Sequence, residues 1–353
     1  MKTRNKVKLI TTIICMVLSL IALYAFCFVI EVAPVWRVIL IIIALGWVAS
    51  GVYNRKVSAG THNAEISMTG KKKRTIILAI AAVLLALVVW TVWGNTALEL
   101  NTYTVGSKEL LDAFDGYRIA HVSDLHNAEM GDGNEKLLAV LREADPDIIA
   151  ITGDLIDSRN TNIEVALAFA EKAMKIAPGY YVTGNHEARV SECAELKAGL
   201  EAAGVVVLEN ERGEIELSGE TITILGVDDP SFNTDYLFGD SASVVSNTLA
   251  EISTEDDGFA VLLSHRPELF DTYVACGVDL ALSGHAHGGQ FRLPFVGGLV
   301  APNQGLFPKY DSGLYTEGNT NMIVSRGIGN SILPFRFNNR PEVILIELKA
   351  TPN

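Results

Sequence analysis

His285 and His287 stand in Ser283-Gly284-His285-Ala286-His287-Gly288-Gly289-Gln290, just past the apolar run 278–282. Side chains two apart in an extended chain share a face, so both imidazoles leave the strand end together. Taken alone, the pair fits either a metal site or a solvated turn. The glycines around it permit the sharp reversal and close backbone approach that crowded ligands need. Four earlier apolar runs end in the same manner: Asp124-Leu125-His126, Gly153-Asp154, Gly184-Asn185-His186-Glu187 and Ser264-His265. Five of the seven histidines in the chain occupy these exits, which chance would scatter. Imidazole and carboxylate donors suit Mn, Fe, Zn, Co or Ni, and the absence of cysteine from every block argues against a structural zinc centre. His121, inside the first run, falls on the opposite face from Asp124 and His126 and reads as a core or supporting residue. Arg159, Asn160, Asp228, Asp229, Gln290 and Arg292 follow strand exits too, without a pattern that separates substrate contact from ordinary surface.

The elements that must position these residues form an alternation. Strands are expected at 118–123, 147–152, 180–183, 205–208, 259–264, 278–283, 322–325 and 343–348, with a hairpin at 214–217 and 221–227. Helices are expected at 134–143, 163–176, 191–203, 243–252 and 267–275. This is an α/β domain whose helices cover a largely buried sheet. In such sheets functional side chains gather beyond the C-terminal strand ends, where the five blocks lie.

The ordered set DxH, GD, GNHE, H and GHxH, with gaps of 30, 31, 80 and 20 residues from Asp124 to Asp154, Asn185, His265 and His285, resembles the calcineurin-like metallophosphoesterases from about residue 118 to 348. The resemblance implies a sandwich of two mixed β-sheets flanked by helices. It also implies two divalent ions: Asp124, His126 and His287 on one, Asn185, His265 and His285 on the other, and Asp154 bridging. One carboxylate can do this, because its two oxygens reach cations about 3.5–4 Å apart. His186 is implied not as a ligand but as the group that stabilises phosphoryl charge or protonates the leaving oxygen, with Glu187 either orienting it or an exposed loop carboxylate. The GHAHGGQ wording and the 326–341 tail further resemble a bacterial membrane-anchored branch that includes envelope enzymes and enzymes acting on lipid-linked sugar pyrophosphates.

Residues 1–94 carry 11 basic residues against 2 acidic ones, and the remainder 17 against 39, so a net charge of -13 conceals a basic start and an acidic domain. An acidic domain repels nucleic acid, which is not expected as a partner. Three uncharged or nearly uncharged runs, about 9–30, 35–52 and 75–93, each approach the length of a bilayer span, roughly 20 helical residues. Trp90 and Trp93 close the third, as interface aromatics do. Four basic residues precede the first run, six separate the second from the third, and Arg37 alone lies between the first two. By the positive-inside rule the N-terminus is cytoplasmic and everything after Trp93 lies on the outer face of the cell membrane. A cleaved signal peptide is the rival for the first run, against its length and missing cleavage site. The expected plan is a multi-pass anchor over 1–94, a connector over 95–117 with a strand near 98–105, and the phosphoesterase domain over 118–353.

The expected activity is hydrolysis of a phosphomonoester, phosphodiester or pyrophosphate by a metal-activated hydroxide, with the tether favouring an envelope or lipid-linked substrate. The alternative is a non-catalytic membrane sensor or scaffold that retains the metal-binding fold. A transporter reading founders on the lack of intramembrane acids or bases away from the span ends. Cys193 and Cys276 are isolated, and their pairing stays open.

Overall fold

The computed structural model describes residues 70–233, 240–254, 258–330, 333 and 335–352. The chain divides into two compact units between Trp90 and Thr91. Of the three expected spans, those at about 9–30 and 35–52 lie outside the described residues. The third falls in helix α1 (Gly70–Thr96), where Ile77–Thr96 is long and apolar enough to cross a membrane. No glycine or proline interrupts 75–93, and Ile77, Leu78, Val83, Leu85 and Val89 stand exposed. Apolar side chains on all faces suit a helix surrounded by lipid.

After α1 the chain builds two six-stranded sheets. The first runs β1 (Glu99–Ser107), β16 (Glu342–Ala350), β2 (Arg118–Val122), β3 (Ile148–Thr152), β4 (Gly179–Val182) and β5 (Val205–Val207). Strands β2 to β5 are mutually parallel; β16 is antiparallel to β2 and parallel to β1. The second sheet runs β14 (Gly313–Glu317), β15 (Thr320–Val324), β9 (Leu280–Ser283), β8 (Ala260–Leu263), β7 (Glu220–Gly226) and β6 (Glu211–Leu217), with β15, β9, β8 and β7 parallel and an antiparallel strand at each edge. Both sheets are mixed, as expected.

Period-two alternation explains the layering. On β3, Ile148 and Ala150 pack between the sheets with Leu280 and Leu282 of β9, while Ile149 and Ile151 turn outward. There they meet α2 (Glu135–Ala144), α3 (Ile163–Ala173) and α4 (Cys193–Ala202). Leu262 and Ala281 of the second sheet face α5 (Ser241–Ile252) and α6 (Phe270–Ala275). Each fully buried Leu, Ile or Phe stabilises by about 1.5–3 kcal/mol, so both faces of both sheets contribute. Helix starts follow their capping residues: Asn162 accepts from the Glu164 N–H at α3, and Asp240 from Ala242 N–H at α5.

Residues 95–117, expected as a connector with a strand near 98–105, contribute that strand as β1, which pairs along its whole length from Glu99 against Glu342 to Ser107 against Ala350. Residues 292–306 form two small hairpins, β10 (Arg292–Leu293) with β11 (Gly297–Gly298) and β12 (Val300–Ala301) with β13 (Gly305–Leu306). Strands of two residues are too short to leave a periodic signal. The segment 335–341 then crosses the molecule as a strap before β16.

Candidate metal centre

Parallel strands within each sheet bring the exits of β2, β3, β4, β8 and β9 to one edge, and direct bonds join the two sheets there. The His285 N–H donates to the Asp124 carboxylate at 3.1 and 3.2 Å and His265 Nδ1 lies 2.7 Å from Thr152 O, while within the second sheet the Gly284 N–H donates to His265 O at 3.2 Å. The approach is close. A Cβ on Gly284 would lie 1.9 Å from Ser123 Oγ and 2.3 Å from Asp124 Oδ2, so only glycine fits. Five residues of the site, Asp124, His126, Asp154, His285 and His287, adopt positive φ between 46° and 63°. A non-glycine residue there costs of order 1–2 kcal/mol, a strain that packing around the site must offset.

All seven expected ligands and His186 are buried at this edge. Asp124, His126 and His287 place one donor atom each within 4.8 Å of one another, and so do Asp154, His265 and His285. The Nε2 atoms of His126 and His287 are 3.2 Å apart, as are His285 Nδ1 and His265 Nε2. Asp154 reaches both groups, with Oδ2 3.6 Å from His126 and 3.2 Å from His265. His265 is aimed by Nδ1, 2.7 Å from the carbonyl of Thr152, which accepts its proton and turns Nε2 toward Asp154. Asn185 sets its side-chain oxygen 2.8 Å from His285 Nδ1, acceptor against acceptor, an opposition relieved by a shared cation or by turning the amide over.

His186 also lies within reach of His126 and Asp154. The Ser158 backbone N–H donates to His186 Nδ1 at 3.0 Å, so in the neutral ring the proton resides on Nε2, 3.9 Å from Asp154 Oδ2. In that form Nε2 donates toward the site. Asp157 Oδ1, 3.5 Å from Nδ1, flanks the same edge of the ring. Glu187 does not orient His186. It is fully buried and accepts from the N–H groups of Asp154 (2.9 Å), Gly184 (2.8 Å) and Ile156 (3.3 Å), buckling the β3 exit to the β4 exit.

The Calcineurin-like phosphoesterase family matches residues 117–289, a stretch holding all eight residues. The metallophosphoesterase YkuE of Bacillus subtilis is 32% identical over 260 residues, covering 72% of this chain and 86% of that protein. This chain belongs to the calcineurin-like metallophosphoesterases. The phosphodiesterase YaeI of Escherichia coli is 27% identical over 237 residues, covering 66% of this chain and 82% of its own length. The zebrafish (Danio rerio) "Transmembrane protein with metallophosphoesterase domain" is 26% identical over 313 residues, covering 85% of this chain and 69% of that one.

As a metallophosphoesterase, the chain is a phosphoester hydrolase, and its family uses divalent metals. The donors fit such ions: buried imidazole nitrogens and carboxylate oxygens crowd within 3.2–3.7 Å of one another, an arrangement that needs protons or cations between them. Burial acts to raise the carboxyls of Asp124 and Asp154, yet the adjacent imidazoles, His287 foremost for Asp124 and His265 for Asp154, hold both well below the usual carboxylate range. Burial presses His287 down to about 3. His265 is pushed up to about 10, since Asp154 overrides the downward effect of burial.

Two buried arginines behind the imidazoles escaped the sequence reading. Arg266 is clamped by Asp229 at 2.5 and 2.8 Å and sets NH1 3.4 Å from His285 Nε2. Arg336, the largest fully buried side chain, bonds the carbonyls of Arg326 and Gly329 and lies 3.5 Å from His287 Nδ1. Only the His-Arg dipeptide hinted at the first. The other polar residues near strand exits are tied down: Arg159 to Asp157, Asp228 to Thr183, Gln290 to the Leu333 and Phe335 carbonyls, and Arg292 to Asp311. His121 sits 2.7 Å from Thr152 Oγ1, behind the strand that positions Asp154.

Proposed function

We propose that this metallophosphoesterase is a multi-pass membrane enzyme whose catalytic domain lies on the outer face, where it hydrolyses the phosphoester or pyrophosphate of an envelope or lipid-linked substrate. The observation that carries the catalytic part is the convergence of three buried donor groups, Asp124, His126 and His287; His126, Asp154 and His186; and Asp154, His265 and His285, the last two sharing Asp154. Asp124, His126 and His287 hold one divalent ion and Asn185, His265 and His285 the other, with Asp154 shared; Mn, Fe, Zn, Co and Ni all suit these donors. When bound, such ions supply Lewis acidity toward phosphoryl oxygens and lower the pKa of water. His186 presents its Nε2 proton to the phosphoryl or leaving oxygen, while Ser158 and Asp157 hold the ring. The apolar stretch Ile77–Thr96 and a relative described as a transmembrane protein support the anchor. The acidic domain disfavours nucleic acid, and the tether favours a substrate at the bilayer.

The test is turnover by the full chain in detergent, stripped of metal and given Mn, against phosphomonoester and phosphodiester reporters, with Asp154→Ala as control. Metal-dependent turnover lost in the variant supports the dinuclear hydrolase and identifies the ester class. An enzyme that binds two metals and hydrolyses neither reporter directs the search to lipid pyrophosphates, and one that binds no metal overturns the reading.

A further inference from the structure

The two hairpins at 292–306 expose apolar side chains that the domain does not use. Phe295 is fully exposed at the first tip, Val296, Leu306 and Phe307 are each more than half exposed, and Leu293 and Val300 are exposed beside them. Hydrogen bonds join the hairpins into one platform, from Leu299 N–H to Phe291 O at 2.8 Å and from Phe307 N–H to Leu299 O at 2.9 Å. Between residues 291 and 308 the only charged side chain is Arg292, at the base, where it pairs with Asp311 at 3.0 Å. An uncharged apolar projection on an otherwise acidic domain marks a contact surface rather than ordinary exposure.

Its roots say what it contacts. The platform grows from the ligand loop: Leu299 N–H donates to Gly289 O at 3.2 Å, and Arg292 NH1 to Gly288 O at 3.0 Å, immediately after His287. The strap 335–341 braces both, with Arg292 N–H on Phe337 O at 3.0 Å and Asn339 Nδ2 on His287 O at 2.7 Å. That strap also grips the last turn of the apolar helix. Asn95 and Arg336 exchange two bonds, at 2.7 and 2.9 Å; Arg340 stacks on Trp93 at 4.7 Å and donates to Ala97 O at 2.8 Å. Thr96 is where the apolar stretch ends. One short segment therefore holds the interface-level end of the helix, the apolar platform and the loop of a metal-centre histidine.

We propose that the tips of this platform, led by Phe295 and Phe307, insert into the lipid surface and seat the mouth of the metal centre against membrane-borne phosphate. This rests on the proposed lipid-linked substrate for its purpose, but not for its geometry. Only the tips enter, at headgroup depth, because hairpin backbone deeper in hydrocarbon would leave polar groups unsatisfied. Insertion is driven by apolar area rather than charge, since the domain is acidic, and so persists at high salt.

The experiment uses the full chain on a cysteine-free background, reconstituted in phosphatidylethanolamine and phosphatidylglycerol vesicles. A nitroxide is placed at Phe295→Cys, at Phe307→Cys, and at Glu317→Cys as a water-exposed control. Labels at 295 and 307 are expected to respond more to oxygen than to a water-soluble nickel chelate, in low and high salt alike, and the control the reverse. In parallel, Phe295→Asp/Phe307→Asp is expected to keep turnover of a soluble diester within about twofold, as exposed positions allow. It should lower turnover of a vesicle-borne diester by about tenfold through lost insertion. Chelate-accessible labels at 295 and 307 overturn the proposal. So do labels shielded from both agents and broadened by each other, which place a second copy there, and so does an equal fall on both substrates. Immersed labels on an enzyme that ignores every vesicle-borne phosphate uphold the surface and reject the substrate reading.

Discussion

A nitrogen lone pair needs something to face, and at the strand exits two pairs of imidazole nitrogens face each other at 3.2 Å. The residues around them divide into those that lend lone pairs and those that aim them. His186 belongs to neither group, because Ser158 N–H occupies Nδ1 and leaves a proton on the site side. His186→Ala is expected to retain both metals by elemental analysis while kcat falls by about 10²–10⁴, the usual worth of a positioned proton donor. Loss of metal in that variant would make His186 a ligand instead. Glu187 is different, since its carboxylate gathers three buried N–H groups from two loops. Glu187→Ala strands them at about 1–3 kcal/mol each, so the urea midpoint should drop markedly. A midpoint within error of the parent would show that water replaces the carboxylate. At this scale the convergence of these residues was legible, because carboxylates and imidazoles repeated at five strand exits must gather on one edge of the sheets. Arg266 and Arg336 were not, since a lone arginine carries no spacing that tells burial from solvent.

At the scale of strands and helices, continuous apolar runs ended by polar residues revealed every parallel strand whose exit carries a candidate ligand. The nine paired positions of β1 against β16 and the platform at 292–306 were not so accessible. The first depends on a partner far away in sequence, and the second on strands shorter than one period. Asp279, just before β9, shows how an element end can be tuned by pH. It accepts from Ala260 N–H at 2.9 Å, and burial, helped by Glu109, pushes its carboxyl up to about 6 from 3.8. Below pH 4 the group is protonated in both folded and unfolded chains and has no effect on stability. Between pH 4 and 6 the unfolded chain releases its proton while the folded one keeps it, so stability falls as pH rises and stays lower above that window, by about 1–3 kcal/mol. Asp279→Asn keeps the acceptor and cannot ionise. Its melting temperature should match the parent at pH 4 and exceed it at pH 8; equal values at pH 8 would mean that the carboxylate is well solvated.

For the whole molecule, the contrast between a basic, apolar start and an acidic remainder is readable from composition, and one apolar helix, Ile77–Thr96, stands where the third expected span lies. What composition could not supply is the strap that binds Asn95, Arg292 and His287 to one stretch of chain, because nothing local marks it. The outward orientation is checked by a periplasm-type reporter fused after Asn353. It should be active when exported, and activity confined to a cytoplasm-specific reporter would reverse the topology. The sheet order also governs how the polypeptide is made. β16 lies between β1 and β2, so a nascent β1 has no partner until residues 342–350 leave the ribosome. At roughly 5–20 residues per second that wait lasts about 10–50 s. Throughout it the apolar helix has already been translated while the strand beside it presents a bare edge, open to wrong pairing. Translation of the final strand is therefore the event that closes the first sheet, and a ribosome stalled short of Glu342 leaves β1 and β2 without the strand between them.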